Sequence, residues 1–308
     1  MPPSLIQDFD QLLSYVATLP KKRVAVVNPG NSETFSAIVE SRNKLNVEYD
    51  LVGDNDVIQR GLRELGEDVD RYEVHDKKDV RSALQHSVTL AREGRADILM
   101  KGSIDTSTMM KAVLAEESGL RMGRLLSDIF IMEYPHRREN RFVMITDGGM
   151  TLAPDLPNKI ELVNNAVEVA HALGNTAPKV AILSATEFVL PNLPSTLDAA
   201  ALSKMNERGQ IKGCVVDGPL ALDNALSPEA AEEKGIRSPV AGKAEILVAA
   251  NIESANSLAK STTYFANLRL AHVIVGARIP ILIPSRADRS DAKLLSVAMG
   301  IVMSSAGR

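Results

Sequence analysis

The sequence predicts an α/β protein of two domains, each a mainly parallel sheet layered between helices. Three observations predict it. Short apolar runs alternate with helical-period segments from residue 22 to residue 114, the pattern of strands joined by helical crossovers. Several of those runs, such as 24–27 and, past Asp97, 98–100, are continuously apolar, as strands covered on both faces must be. The chain has no tryptophan and only 4% aromatic residues, so its core is Ala, Val, Ile, Leu and Met. At 308 residues it is long enough for two domains with sizeable cores.

In chain order, residues 5–18 place Ile6, Phe9, Leu12, Leu13 and Val16 at helical spacing, and Pro20 ends that helix. A strand at 24–27 leads to the turn Asn28-Pro29-Gly30-Asn31-Ser32 and a helix through Val39, with Ser32 as the expected N-cap. Such a turn suits an anion, but neither GxGxxG nor GxxxxGK[ST] occurs, so a nucleotide fingerprint is not read there. Strand and helix then alternate: 47–53 with a helix near 57–65, 71–75 with 79–92, and 96–100 with a helix through Leu114. At 121–147 the rhythm changes to two strands joined by the charged turn 136–140, an antiparallel ribbon. A helix at 155–173, a strand, a helix at 195–208 with Ser195 as its expected N-cap, and the strand GCVVDG follow. Residues 245–249 and 272–276 bracket a helical segment and read as one βαβ unit, with an apolar helix near 256–270. The final helix, about 291–302, is expected to pack back on the first domain.

Composition excludes several function classes. A net charge of -4 is mild and argues against nucleic acid or an anionic membrane as partner. No apolar run approaches the length of a membrane span, and the acidic start MPPSLIQDFDQLL is unlike a signal peptide, so a cytoplasmic protein is expected. The one cysteine, Cys214, reads as a small buried hydrophobe rather than a nucleophile. The histidines at 75, 86, 136, 171 and 272 show no zinc-site spacing, and His171 and His272 read as packing residues in apolar runs. Asp217 and Asp223, on either side of Gly218-Pro219, suit a divalent metal but read first as a capped, solvated loop, and no metal is expected.

Candidate chemistry lies in polar loops after strands, because ligands of open α/β sheets sit at the strands' carboxyl ends. Ser285-Arg286, with Asp288 and Asp291 beyond, follows an apolar run and precedes a helix. On spacing alone it reads equally as a helix-entry turn with a surface arginine. Lys101-Gly102-Ser103 follows the strand at 96–100 and offers an ammonium and hydroxyls before a helix, either an oxyanion cradle or an ordinary turn.

Several long segments resemble the phosphotransacetylase and phosphotransbutyrylase family of phosphate acyltransferases. They are ADILMKGSIDTSTMMKAVL (96–114), PSTLDAAALSKMNERGQIKG (194–213), VVDGPLALDNALSPEAA (215–231), VAGKAEILVAANIESANSLAK (240–260) and SRAD (285–288). The resemblance covers about 95–299; the first 90 residues match only as a pattern of elements. It implies acyl transfer between coenzyme A and inorganic phosphate through a ternary complex, with acyl-CoA, phosphate and acyl phosphate as partners and no permanently bound cofactor. The family's Ser-Arg pair corresponds to Ser285 and Arg286, the serine acting on the transition state and the arginine holding phosphate. Its base falls on Asp288 or Asp291; Asp291, at a helix start that favours its anion, is preferred. Lys101, Ser103, Lys111, Asn256, Lys260 and Asp288 are the implied substrate-binding residues. Lys111 stands where the family has a second anion-binding basic residue, and Ser254-Ala255-Asn256 where it has Ala-Gly-Asn.

The expected architecture is therefore two three-layer α/β domains with a cleft between them, like the isocitrate/isopropylmalate dehydrogenases. The first would comprise 1–147 and 284–308, the second 148–283. The expected function is phosphate acyltransferase of the butyryl type, as a homodimer. Phosphate acetyltransferase is the near alternative; an NAD- and metal-dependent dehydrogenase of the same fold, or a non-catalytic relative, are the distant ones.

Overall fold

A computed structural model describes residues 4–285 and 288–306, so Arg286 lies outside the described residues. The chain divides into two compact units, each drawn from separate stretches of sequence. A flanking unit comprises Phe9–Arg124 and Ala271–Arg308; a central unit comprises Met1–Asp8 and Leu125–Leu270.

The flanking unit opens with α1 (Phe9–Val16), β1 (Lys22–Val27), α2 (Ser32–Lys44), β2 (Val47–Gly53), α3 (Asn55–Glu64), β3 (Glu73–Asp76), α4 (Val80–Arg92), β4 (Ile98–Lys101) and α5 (Thr106–Leu114). The central unit follows with β5 (Ser127–Glu133), β6 (Phe142–Thr146), α6 (Leu156–Ala172), β7 (Lys179–Leu183), α7 (Pro194–Glu207), β8 (Val215–Leu220), α8 (Leu222–Leu226), α9 (Pro228–Glu233), β9 (Ile246–Val248) and α10 (Ile252–Tyr264). The chain then returns through β10 (Leu270–Val275), β11 (Ile281–Leu282) and α11 (Ser290–Ser305).

In the flanking unit the strands run β3-β2-β1-β4-β11-β10. All these pairs are parallel except β10 with β11, which meet antiparallel at Ile274 and Ile281. The expected apolar runs are fully buried: Val24 to Val27 and Ile98 to Leu99 are 0% exposed, as strands covered on both faces require. In the central unit the order is β5-β6-β9-β7-β8, with β5–β6 the antiparallel ribbon expected at 121–147 and the other pairs parallel.

The compact units change over at 8/9, 124/125 and 270/271, whereas the sequence reading kept 1–8 with the first domain and put the crossings at 147 and 284. Strand pairing is the reason. The ribbon's second strand aligns Met144 with Ile246 of β9, which ties it to the central sheet. At the other crossing β11 aligns Ile281 with Leu99 of β4, and β10 pairs with β11, which ties both to the flanking sheet. For the same reason 245–276 is not one βαβ unit: β9 pairs with β6 and β7. Local ends shift as well. Asn31, not Ser32, caps α2, accepting from the Thr34 N–H at 2.8 Å. Pro194 occupies the first position of α7, where its missing N–H costs nothing, so Ser195 lies inside the helix rather than capping it. α1 starts only at Phe9, and α10 ends at Tyr264.

Candidate functional site

Because β1, β4 and β11 are parallel, their carboxyl ends share one edge of the flanking sheet. The turns after β1 and β4 are stitched together there. Gly102 N–H donates to Val27 O (2.9 Å) and Ser103 N–H to Asn28 O (2.8 Å). In return Asn28 Nδ2 donates to Ser103 O and Asn31 Nδ2 to Ser103 Oγ, both at 3.1 Å. Asn28 holds φ at +52°, a left-handed conformation that asparagine tolerates. A Cβ on Gly102 would lie 2.5 Å from the Val27 and Asn28 carbonyl oxygens, so only glycine fits. Lys101 Nζ donates to Ile104 O at 3.3 Å, bending back over its own turn. Lys111 is exposed in the last turn of α5.

Beyond β11 the chain reaches Ser285. The register sets Leu282 opposite Met100, so Ser285 and Ser103 are each three residues past that pair. Ser285 N–H donates to Asp288 Oδ2 at 2.7 Å, and Asp288 N–H donates to Ser285 O at 3.1 Å. His272 of β10, 7% exposed, brings Nε2 to 3.6 Å from Asp288 Oδ2. The same residue's N–H donates to Ser296 Oγ (3.0 Å), which donates to Ala292 O (2.8 Å) in α11. Asp291, in the first turn of α11, is gripped by Arg289 through Nε (3.1 Å) and Nη2 (3.2 Å). Lys101 ends β4, and Ser103, Ser285, Asp288 and Asp291 belong to loops or helix starts of the same flanking unit.

Asn256 and Lys260 belong to the central unit, four residues apart on α10, whose start is capped by Asn251 and Ser254 in a capping box. Asn256 Nδ2 donates to Gly148 O at 2.9 Å. That carbonyl is held by a turn built around Asp147, a residue the sequence reading did not single out. Asp147 is 3% exposed. Its Oδ1 accepts from the N–H groups of Asp128, Gly149 and Met150 (3.1 Å each), and its Oδ2 from Thr151 N–H (2.8 Å). Burial pushes its carboxyl above the usual range, although the amides oppose the rise.

The remaining candidates separate. Asp217 Oδ1 accepts from Gly218 N–H at 2.8 Å and from Ser203 Oγ at 3.2 Å, whereas Asp223 pairs with Lys234 at 2.9 Å. Among the described residues no group of three His, Cys, Asp or Glu is arranged to hold a metal. Burial pushes the Cys214 thiol up to about 11, which leaves it protonated and inert near neutrality. No helix among the described residues is long and apolar enough to cross a membrane.

The family model described as phosphate acetyl/butaryl transferase matches residues 51–301, a span that contains every one of these site residues except those in the β1–α2 turn. The chain belongs to the phosphate acetyl/butaryl transferase family. It is 41% identical over 297 residues to the phosphate butyryltransferase of Clostridium beijerinckii, covering 96% of this chain and 98% of that protein. It is 40% identical over 281 residues to the phosphate acetyltransferase of Thermotoga maritima, covering 91% and 95%. The crystal structure of a branched-chain phosphotransacylase from Enterococcus faecalis V583 superposes with a TM-score of 0.82 at 29% identity, covering 92% of this chain and 99% of that one. As a member of an acyltransferase family, the chain carries its Ser285–Asp288 turn and its Lys101–Ser103 turn on adjacent parallel strands. The sequence reading took His272 for a packing residue and did not single out Asp147, because each sits at or in an apolar run, where a polar residue reads as satisfied packing. A histidine inside HVIVG was the one available signal.

Proposed function

We propose that the protein is a phosphate acyltransferase that interconverts acyl-CoA plus inorganic phosphate with acyl phosphate plus coenzyme A, butyryl being the preferred acyl group. A phosphate oxygen attacks the thioester carbonyl, the C–O bond forms, the C–S bond breaks and coenzyme A leaves as thiolate. Ser285 donates to the charge that develops on the reacting group, and Arg286 holds the phosphate. Asp291 carries the thiol proton, taking it from coenzyme A when acyl phosphate is the substrate. The assignment of the base to Asp291 is supported by Asp288's other work: its carboxylate accepts from the Ser285 amide. Lys101 and Ser103 in the flanking unit, and Asn256 and Lys260 in the central unit, are assigned to substrate contacts; Lys111 is assigned to anion attraction from its exposed place on α5. The protein works in the cytoplasm as a homodimer and needs no permanently bound cofactor.

The observation that carries this reading is the paired turn: Ser285 beyond β11 and Ser103 beyond β4, at matching depth on neighbouring parallel strands. The butyryl preference is supported by 41% identity to a phosphate butyryltransferase and by the MKGS and DGPLALDNA segments. Acetyl-CoA is its natural competitor, given 40% identity to a phosphate acetyltransferase. One methylene in an apolar pocket is worth about 1–3 kcal/mol, enough for the kinetics to separate chain lengths.

Incubation with butyryl-CoA and phosphate should release free thiol, with a lower kcat/KM for acetyl-CoA. Ser285→Ala should lower turnover roughly 10²- to 10³-fold with small changes in either KM, as loss of a transition-state donor does. Arg286→Gln should raise the KM for phosphate well above any change in the KM for acyl-CoA. Near-normal turnover and phosphate affinity in both folded variants would remove the site assignment. A tenfold preference for acetyl-CoA would reverse the acyl choice.

A further inference from the structure

The flanking unit contains a lysine that the reaction as drawn leaves unused. Lys293 lies in the first turns of α11 and is only 6% exposed. Burying an ammonium is costly unless an anion or several acceptors compensate it. The central unit shows the usual solution: Lys159, 3% exposed, meets Asp198 at 2.6 Å. Lys293 differs: among the described residues its ammonium makes no ion pair and no hydrogen bond, and although the residue is 6% exposed its Nζ is not sealed from solvent, so the charge is open to a ligand. The nearby carboxylates are engaged elsewhere, Asp291 by Arg289 and Asp288 by the Ser285 amide and His272.

The packing of α11 says where that side chain is placed. Near the helix end, Ser304 O accepts from Lys22 Nζ at 3.2 Å, at the start of β1. One turn earlier, a Cβ on Gly300 would lie 3.2 Å from Ile98 Cδ1 and 3.4 Å from Leu282 Cδ1, so this face looks onto β4 and β11. α11 therefore runs against the strands, from their carboxyl ends toward their amino ends. Lys293 is two turns before Gly300, within roughly 20° of the same face and about 10 Å closer to the carboxyl ends. About 10 Å is three residues of strand, which moves the position from Ile98 to the level of Lys101. Pro284 and Ser285 leave β11 at the same depth. α2 packs against α11 and starts at this edge, just past β1, so the positive ends of two long helices are directed there too.

We propose that Lys293 is a binding residue for a phosphoryl dianion, the acceptor phosphate held beside Ser285; this rests on the acyl-transfer reading for the choice of anion. An ammonium with no protein counter-charge, at a strand-end edge with two helix N-termini, fits a ligand that brings close to two negative charges at neutral pH.

The test is Lys293→Met, which removes the charge and keeps an apolar stem in a buried seat. Two readouts are needed: the rise in Tm produced by millimolar inorganic phosphate, and the KM values for phosphate and butyryl-CoA. Loss of a charge-assisted contact should raise the KM for phosphate roughly ten- to hundredfold, leave that for butyryl-CoA within about threefold, and abolish the phosphate-dependent rise in Tm. Lys293→Gln, polar and of similar length, gives the same readings if the methionine variant does not fold. An unchanged phosphate response in either folded variant overturns the proposal. So does a change confined to the KM for butyryl-CoA, which would assign the lysine to a coenzyme A phosphate instead. If the wild type turns over no acyl-CoA yet phosphate raises its Tm only when Lys293 is present, the anion site stands and the acyl-transfer reading falls.

Discussion

Asp288 bears directly on the geometry around Ser285. Its carboxylate accepts the Ser285 N–H at 2.7 Å and faces His272 at 3.6 Å, so it fixes the backbone from which the serine hydroxyl projects. Both are proposed to position Ser285, whatever contact Asp288 also makes with substrate. Asp288→Asn keeps an oxygen for the amide but loses the charge that faces His272; His272→Leu loses the imidazole and leaves Asp288 in place. Each should lower kcat roughly tenfold to a hundredfold with both KM values little changed, since a small misplacement of a reacting group costs that much. The double variant should be no worse than either single one, because the residues act on Ser285 in series. His272→Gln, which retains a donor toward the carboxylate, should recover part of the rate. Additive losses in the double variant would show that the two act separately. Sequence reading could find Ser285 and Asp288 because both lie in a polar loop after a strand. It could not find His272 or Lys293, which occupy apolar, periodic runs where position alone reads as packing.

At the level of elements, α10 does two jobs. Its start presents Asn256 to the Gly148 carbonyl, behind the Asn251–Ser254 capping box. Its inner face packs Ala255 and Ala259 into the central core, with Leu258 and Leu268 partly buried beside them. The last turn does neither. Tyr264 is 65% exposed and Phe265 92% exposed, although burial of such side chains is worth about 1.5–3 kcal/mol each. The sequence put both aromatics in an apolar helix near 256–270, available for a contact between copies or for burial against the sheet; the helix ends at Tyr264 and both rings lie on the surface. A second copy of the chain is the partner proposed for that end of α10, through an isologous contact. Light scattering at micromolar concentration should give twice the chain mass, and Phe265→Glu should shift the distribution toward the single chain. A monomer in the wild type would remove the homodimer.

At the level of the whole molecule, alternation of strand and helix was legible because it depends on local periodicity, and the antiparallel ribbon was legible because its two strands adjoin a charged turn. The crossing points were not, since they follow from pairing between strands far apart in sequence, such as Met144 with Ile246 and Ile281 with Leu99. Equally illegible was a chain of side chains across β2, β3 and α4, from which a pH dependence of stability is expected. Asp50, 1% exposed, meets His75 Nε2 at 2.8 Å, and His75 Nδ1 meets His86 Nε2 at 3.1 Å. Arg23 lies 3.5 Å from the other Asp50 oxygen. His86 is held below the ordinary imidazole value, first by burial and then by the positive charges of His75, Lys77 and Arg95, with Asp50 opposing. A histidine whose folded value is depressed binds its proton more readily in the unfolded chain. Its contribution is therefore intact above the ordinary value of about 6.5 and is lost as pH falls through that value toward the lower folded one. Urea unfolding should accordingly give a midpoint that drops between about pH 7.5 and pH 5.5, and His86→Gln, which cannot charge, should show a shallower drop over the same interval. An equal drop in the two proteins would mean that groups other than His86 carry the pH dependence.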